Sequence, residues 1–330
     1  MMSNSNLGKT LLVATAAALA LAPLVSGSPY LLSVAIVTLM YAYLALSWNI
    51  LGGIAGQLSL GHAAYFGIGA YTSTWLFDHL NISPWIGMWA GAALAAVAAV
   101  VIGAACFRLR GAYFALATIA AGVVLKTLAE NADSLLGGSR GMEVTLLRDA
   151  PLYFQHTSKE FYYAIVLAFT AIALLINWGV LRSRFGYYLT AIRNDQEAAL
   201  ALGIHTTRYK LMAATLSAAM TAIGGTFYAQ FVMFISPDVV FGNHQSVIIA
   251  VICIIGGRGT LWGPLLGALL LQPAEELARV VSGGIIGVDM MLYGLVLMLV
   301  IRVQPYGLTA IISAAASRFK AARKVQNATT

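Results

Sequence analysis

The stretch FYYAIVLAFTAIALLINWGV, residues 161–180, contains no charged side chain over its 20 positions. An α-helix rises about 1.5 Å per residue, so this run is long enough to cross the roughly 30 Å hydrocarbon core of a bilayer. The whole chain of 330 residues is 60% hydrophobic and 9% charged, whereas a soluble domain is about a quarter charged. Its 19 basic and 12 acidic side chains are too few to cover a solvated surface. The sequence therefore predicts an all-α polytopic membrane protein.

Further apolar runs of this kind predict about ten transmembrane helices in a single domain that covers residues 1–330. The first run has a second interpretation as a cleaved signal peptide, because Lys9 precedes it and a poor cleavage site, VSG at 25–27, follows it. The eighth has an unbroken apolar core of only ten residues, 246–255. We expect the polar stretch VVFGNHQ before it to build its outer half, against protein or a watery cavity. The predicted spans are 11–25, 30–51, 58–77, 84–107, 111–129, 161–180, 209–234, 240–257, 261–280 and 285–302.

Basic residues accumulate in the cytoplasmic loops of membrane proteins, and this rule orients the chain. Segment 181–210 has five basic and two acidic residues, a net charge of +3, and the tail 303–330 has four basic residues and no acid. Loop 130–160 has three basic and five acidic residues, a net charge of −2. We therefore expect a cytoplasmic loop at 181–208, a cytoplasmic tail, an external loop at 130–160, and both termini inside the cell. The same rule accounts for the overall charge of +7 without a nucleic-acid partner.

Two short motifs echo each other across the chain. GQLSLG at 56–61 precedes the third span, and GRGTLWG at 257–263 precedes the ninth. Each has glycine, a small hydroxyl residue, leucine and glycine at a turn into a helix. Spans 2–5 and 7–10 also have equal number and opposite orientation in the ten-span arrangement. This pattern predicts inverted-repeat halves, with interrupted helices along the route between them.

Motifs for catalysis and for metal binding are absent from the sequence. GKT at 8–10 resembles the end of a phosphate loop, but Ser3 stands where the first glycine is required. Cys106 and Cys253 lie in apolar runs without metal-ligand spacing, and the five histidines are scattered. No carboxylate lies near the middle of a predicted span, where an ion-coupled carrier would need one. We expect a non-enzymatic chain with no metal or cofactor of its own.

The stretch AIRNDQEAALALGI, residues 191–204, is unusually polar for this chain. Asn194 is a good N-cap, Glu197 three residues later completes a capping-box pattern, and Gly203 suits a left-handed C-cap. The pattern predicts a helix of about two turns at 195–202 within the cytoplasmic loop. Two turns are marginal alone in water. The helix is therefore either a solvated linker that caps itself or a docking element for a separate cytoplasmic protein.

The glycine-rich stretch 52–71 also has two interpretations. Its small residues let membrane helices pack closely, or its polar side chains line a translocation path. The same alternatives apply to the polar residues at the start of the eighth span. The candidate path residues are Gln57, Ser59, His62 and Tyr65 in the first group and Asn243, His244 and Gln245 in the second.

EAALALG at 197–203 resembles the EAA-x-x-x-G core of the coupling loop in ABC importer permeases, although the second half of that motif is absent. The wider chain is similar to the permease family for branched-chain amino acids. The external loop and the form of 182–204 favour the longer of the two permease subunits in that system. The resembling segments are LGGIAGQLSLGHAAYFGIGAY at 51–71, GGSRGM at 137–142, RSRFGYYLTAIRNDQEAALALGIHTTRYKL at 182–211 and GGRGTLWGPLLGALL at 256–270.

This resemblance implies a set of partners. A second related permease would form a heterodimer with this chain in the bacterial inner membrane. Two cytoplasmic ATPase subunits would bind ATP and magnesium, and an external binding protein would deliver a branched-chain or related hydrophobic amino acid. Specificity then resides mainly in the binding protein, so leucine is not separated here from an aromatic acid, urea or a short amide. A secondary carrier or passive channel for a small neutral solute is the alternative.

The resemblance also assigns roles to residues. The helix at 195–202 would act as a lever for the ATPases. Ser139 and Arg140 in GGSRG would contact the binding protein or the external mouth of the path. The coupling residues would be Arg193, Asn194, Asp195 and Glu197 as polar contacts, with Leu202 and Gly203 packing and ending the helix.

Overall fold

A computed structural model describes residues 28–147 and 149–281, together with a few isolated positions between 291 and 298. The first predicted span, nearly all of the tenth and the basic tail lie outside the described residues. In chain order the helices are α1 Pro29–Trp48, which continues as a π-helix at Asn49–Ile54, α2 His62–Leu80, α3 Pro84–Cys106, α4 Ala112–Glu130, α5 Asp133–Leu136, α6 Lys159–Arg182, α7 Arg184–Asn194, α8 Gln196–Ala201, α9 Thr206–Val232, α10 Pro237–Val240, α11 Asn243–Gly257 and α12 Gly263–Val281. Two 3₁₀ turns, Gly138–Arg140 and Pro151–Tyr153, and two short strands, β1 Met142–Glu143 and β2 Phe234–Ile235, complete the described elements.

Within residues 28–147 and 149–281, six helical segments are long and apolar enough to cross a membrane. Two further helices, α2 and α12, have 19 residues each and occupy the third and ninth predicted spans. Every predicted run from the second to the ninth therefore coincides with helix, and the chain is an all-α polytopic membrane protein. The six segments are Pro29–Ile54, Pro84–Cys106, Ala112–Glu130, Lys159–Arg182, Thr206–Val232 and Pro237–Gly257.

The centre of the bundle is α1 with its π-helical end. All residues from 38 to 54 except Tyr41 are buried, and α12, α6, α9 and α11 pack around this helix. A helix that is apolar on every side is stable only when other helices, or lipid, surround it. The near-uniform hydrophobicity of PYLLSVAIVTLMYAYLALSW is the sequence cause of this central position.

Small residues bring α9 into close contact with α2. A Cβ at Gly69 would overlap the carbonyl oxygen of Ala222, and one at Gly225 would overlap that of Phe66. At the same contact, Thr226 Oγ1 donates a hydrogen bond to the Gly69 carbonyl at 3.1 Å. Small side chains permit this backbone approach in membrane helices, so part of the glycine-rich stretch is used for packing.

The outer helices α3, α4 and α6 leave large apolar side chains uncovered. A soluble protein rarely exposes such a continuous apolar surface, whereas lipid-facing helices must. Examples are Trp89, Val101, Leu116, Leu128, Ile172 and Leu175.

The segment predicted as a plain loop at 130–160 is folded in the structure. Strand β1 pairs antiparallel with β2, with Met142 opposite Ile235. Gly141 lies so close to the carbonyl oxygen of Ile235 that a Cβ would overlap it. These contacts fasten the segment to the end of α9.

Candidate functional site

The first break in the helical bundle follows the π-helix at Asn49–Ile54. A π-helix has one residue more per turn than an α-helix and is frequent at functional sites. It ends in the non-helical residues 55–61, where Gly56 has a φ of 70°, a region that favours glycine. The indole of Trp48 lies over Gly52 and donates from Nε1 to the Ser59 carbonyl at 2.8 Å. The chain is thus fixed before it enters α2.

The second break separates α11 from α12 at residues 257–263. Gly257 and Gly259 have φ values of 126° and 75°, which L side chains rarely adopt. Thr260 Oγ1 donates to the Gly257 carbonyl at 2.6 Å and accepts from the Gly263 amide at 3.1 Å. The threonine hydroxyl therefore holds this turn closed.

Asn49 connects the two breaks. Its fully buried side chain accepts from the Gly259 amide at 2.7 Å and donates to the Thr260 carbonyl at 3.0 Å. The amide of Asn49 also donates to Asn177 Oδ1 on α6 at 3.1 Å. Asn177 in turn donates to the Leu46 carbonyl at 3.1 Å. The π-helix that leads into the first break is therefore bonded directly to the second break.

A second buried network holds the start of α2. Ser217 Oγ donates its one hydrogen to the Ser47 carbonyl at 2.7 Å, so it accepts from His62 Nε2 at 2.9 Å. His62 Nδ1 lies 3.1 Å from Ser59 Oγ. Both ring nitrogens of His62 therefore have partners inside the protein, and this network joins the start of α2 to α9 and, through Ser47, to α1.

The short loop helix is present, but its start differs from the prediction. Asp195 is the N-cap, and its Oδ1 accepts from the amides of Glu197 at 2.8 Å and Ala198 at 3.0 Å. The predicted N-cap, Asn194, is instead the last residue of α7. α8 runs over Gln196–Ala201, and Gly203 takes the expected left-handed conformation with a φ of 81°. The Asp-Gln-Glu sequence makes Asp195 the better cap because its oxygen reaches two orphan amides.

One face of α8 is attached to the bundle and the other is open. Gln196 Oε1 accepts from Lys210 Nζ at 2.6 Å, and Lys210 is only 2% exposed. Glu197 forms an exposed ion pair with Arg110 at 2.8 Å. Leu202, in contrast, is 81% exposed at the end of the helix. An apolar side chain held in the open by a capped, anchored helix is suited to contact with another protein.

Arg193 contacts the bundle at the π-helical end of α1. Its Nη1 donates to the Gly53 carbonyl at 3.0 Å, within the π-helix. The structure therefore connects the loop to the first helix break through this residue, which the sequence had placed among contacts to a partner. Arg193 is nevertheless exposed along part of its side chain, as are its neighbours Asn194 and Asp195.

The remaining predicted path and mouth residues divide by exposure. Tyr65 is buried edge-on against His62, at 5.7 Å between ring centroids. Gln57 bonds only locally, to the Ala55 carbonyl at 3.3 Å, and Gln245 accepts from Tyr41 at 2.9 Å. The four that are exposed are Asn243, His244, Ser139 and Arg140.

Sequence reasoning missed four polar residues of these networks: Asn49, Asn177, Ser217 and Lys210. The signal for the two asparagines was present, because an amide inside an apolar span is costly unless it is paired. Lys210 counted in the sequence only as one of the basic residues of segment 181–210, whereas in the structure its ammonium group bonds to Gln196 of α8.

The structure is a bundle of long apolar helices, and the break after α1 is linked through Arg193 to a small capped loop helix. This architecture is that of a polytopic membrane permease. A family profile described as "Branched-chain amino acid transport system / permease component" matches residues 30–301, and the chain belongs to that family. The resemblance drawn from the sequence motifs is thereby confirmed.

Individual relatives agree with this assignment. The chain is similar to the high-affinity branched-chain amino acid transport system permease protein LivM of Escherichia coli K12, with 30% identity over 268 residues, 74% of this chain. It is similar to LivH of the same organism, with 28% identity over 253 residues, 72% of this chain and 81% of LivH. The fructose import permease protein FrcC of Rhizobium meliloti is 34% identical over 123 residues, 36% of this chain and 34% of FrcC. The chain spans 63% of the length of LivM. No solved structure matches the chain.

Proposed function

We propose that this chain is a membrane-spanning subunit of an ATP-driven importer for branched-chain or related hydrophobic amino acids. In this proposal it pairs with a second related permease and receives substrate from an external binding protein. The similarity to both LivM and LivH, two permease proteins of branched-chain transport systems, supports the pairing. The chain itself is not an enzyme and carries no cofactor, because two cytoplasmic ATPase subunits bind and hydrolyse ATP with magnesium.

The proposed topology has ten spans in the bacterial inner membrane with both termini in the cytoplasm. Spans 2–5 and 7–10 form the inverted-repeat halves. The charge asymmetry of loops 130–160 and 181–208 supports this orientation.

The single observation that carries the proposal is the form of α8. Asp195 caps it, Lys210 and Arg110 anchor it, and Leu202 projects from it with 81% of its surface exposed. Such a helix delivers force better than a flexible linker because its attachment points move with it. The exposed Asn194, Asp195, Glu197 and Gly203 complete the proposed contact with the ATPase.

Substrate would pass between the repeat halves and enter from the side of segment 130–160. Asn243 and His244 are exposed at the first turn of α11 and remain candidates for lining the path. Ser139 and Arg140 are exposed on the 3₁₀ turn and remain candidates for the binding-protein contact or the external mouth.

The test uses the full complex in proteoliposomes with radiolabelled leucine as the probe. Leu202→Asp should lower both leucine uptake and binding-protein-stimulated ATP hydrolysis by about tenfold or more, because burying a carboxylate in an apolar contact costs several kcal/mol. Leu152→Asp is the matched control, since Leu152 is equally exposed at 82% but lies in segment 130–160.

Three outcomes decide the matter. Loss of both activities in Leu202→Asp with normal activity in Leu152→Asp supports the proposal. Normal leucine uptake and ATP hydrolysis in Leu202→Asp would show that α8 does not make the proposed contact with the ATPase. Leucine uptake by the purified chain without ATP or partners would replace the importer with a carrier or channel.

A further inference from the structure

Arg193 occupies an unusual position in the described structure. It lies in the last turn of α7, two residues before the N-cap of α8. Its Nη1 donates to the Gly53 carbonyl at 3.0 Å. Among the described ion pairs none includes Arg193. Its described hydrogen-bond partner is therefore backbone rather than an opposite charge.

Three glycines surround this arginine: Gly53 in the π-helix, Gly56 in the first break and Gly259 in the second. A Cβ at Gly56 would overlap Arg193 Cγ, and a Cβ at Gly259 would overlap Arg193 Nη1. Gly53 and Gly259 also touch each other, since a Cβ at Gly53 would lie 2.5 Å from the Gly259 amide nitrogen. The arginine stem thus packs on the first break while its guanidinium lies over both breaks.

The chemistry of this contact is specific to arginine. The Gly53 carbonyl belongs to the last turn of a helix, where carbonyl groups lack an intrahelical partner and the helix dipole attracts a cation. A guanidinium is planar and offers several donors in fixed directions, so it fits between two flat glycine backbones. A lysine ammonium has the charge but not the planar shape.

The other attachments of α8 lead elsewhere. Gln196 bonds to Lys210 on α9, and Glu197 bonds to Arg110 in the turn after α3. Only Asn194 separates Arg193 from the cap residue Asp195, whose amide continues the α7 hydrogen-bond pattern to the Ala191 carbonyl at 3.0 Å. Movement of α8 therefore acts on Arg193 through a short, hydrogen-bonded piece of backbone.

We propose that Arg193 is a positioning residue that transmits displacement of α8 to both helix breaks at once. It would thereby couple ATP hydrolysis to the helix pairs α1–α2 and α11–α12. The inference rests on the proposed function, because it takes α8 to be the element that the ATPases move. It changes the role of Arg193 from a contact with the partner to an internal link.

The first experiment measures leucine uptake per ATP hydrolysed in the reconstituted full complex. Arg193→Ala should lower this ratio by about tenfold, since coupling between sites typically changes an equilibrium by about 5- to 150-fold. Arg193→Lys should restore the ratio only in part. Arg184→Ala, which removes the same charge from an exposed position of α7, should match the parental ratio.

The second experiment separates movement of α8 from movement of the first break. Spin labels at Ala201→Cys on α8 and Leu58→Cys in the first break report the two sites; both positions are exposed, and the native Cys106 and Cys253 are buried. Trapping the ATPases with nucleotide should change both spectra in the parental complex. With Arg193→Ala the response at 201 should persist while the response at 58 is lost.

Gly259→Ala approaches the link from the other side and leaves the arginine in place. It should abolish the response at 58 in the same way, and it serves as the test if Arg193→Ala does not assemble. A response at 58 that survives both substitutions overturns the inference. A parental complex in which position 201 does not respond contradicts the proposed function instead, so the two failures are distinguishable.

Discussion

The junction of the two helix breaks and the folded segment 130–160 both connect membrane helices, yet different interactions hold them. At the junction, defined by residues 49–61, 193–203 and 257–263, buried amides and backbone groups make the connections. In segment 130–160 the buried Gln155 bonds only within the segment, to Thr145 and Leu147, and its other polar links are exposed carboxylates and a strand pair of two residues. Buried neutral networks are rigid and costly to break, whereas exposed charges contribute little each. The junction is thus built to transmit movement between distant parts of the chain, whereas the exposed links of segment 130–160 are individually weak.

The largest effect that tests this difference is expected at Asn49. Asn49→Leu leaves the Gly259 amide, the Thr260 carbonyl and Asn177 Oδ1 without the partner that Asn49 supplies. Each unsatisfied buried group costs about 1–3 kcal/mol, so we expect a loss of about 3 kcal/mol in the free energy of unfolding. The measurement is the unfolding transition of the purified protein in detergent.

A buried residue of the same helix provides the control for this substitution. Thr38 donates only to the Val34 carbonyl of its own helix, at 2.7 Å. Thr38→Val keeps the shape of the side chain and should cost less than about 1 kcal/mol. Equal losses in the two variants would show that Asn49 does not join the breaks.

Features that depend on neighbouring residues in the sequence could be predicted, whereas contacts between residues far apart in the chain could not. Apolar length is a local signal, and it located the long helices α1, α2, α3, α4, α6, α9, α11 and α12 at the predicted spans, with α2 beginning at His62 rather than at 58 because residues 55–61 are not helical. The cap of α8 was also local, and the error of one residue arose because Asn194 and Asp195 are both good caps. Helix α7 was missed since its polar residues resembled a loop.

The junction itself needed the structure. The glycine motifs at 56–61 and 257–263 were recognisable as an echo, but the hydrogen bonds that hold the second motif come from Asn49, 210 and 211 positions away. No periodicity in the sequence indicates that Asn49 reaches Gly259 or that Arg193 reaches Gly53. Non-local hydrogen bonds of this kind are decided by how the helices pack, and pattern arguments describe only one helix at a time.

A smaller effect is expected where segment 130–160 leaves α4. Lys126 on α4 forms ion pairs with Asp238 and with Glu130, its neighbour one turn later. A double-mutant cycle of Lys126→Met and Asp238→Asn should give a coupling energy of about 0.5 kcal/mol in thermal unfolding, because the Asp238 carboxylate is mostly exposed. Arg140→Met, at an exposed position nearby in the chain, is the control. A coupling as large as the loss at Asn49 would remove the distinction between the two regions.

The smallest expected effect depends on pH and lies at Asp149. Its Oδ1 accepts from the Thr157 amide at 2.7 Å, and the hydrogen bonds from Thr157 lower the pKa of this carboxyl below its usual range. A pKa that is lower in the folded protein adds stability above the unfolded value of about 3.9, and this contribution disappears as the pH falls through the folded pKa. Hydrogen exchange at the Thr157 amide, compared between the parental protein and Asp149→Asn, should therefore differ at pH 6 and converge only as the pH falls through the folded pKa of Asp149, which lies below about 3.9. Exchange in the α8 amides of Glu197 and Ala198 should stay equal between these two proteins, since Asp195 caps them independently. A change at α8 would mean that segment 130–160 communicates with the junction, and the contrast between a rigid link and a separable one would then fail.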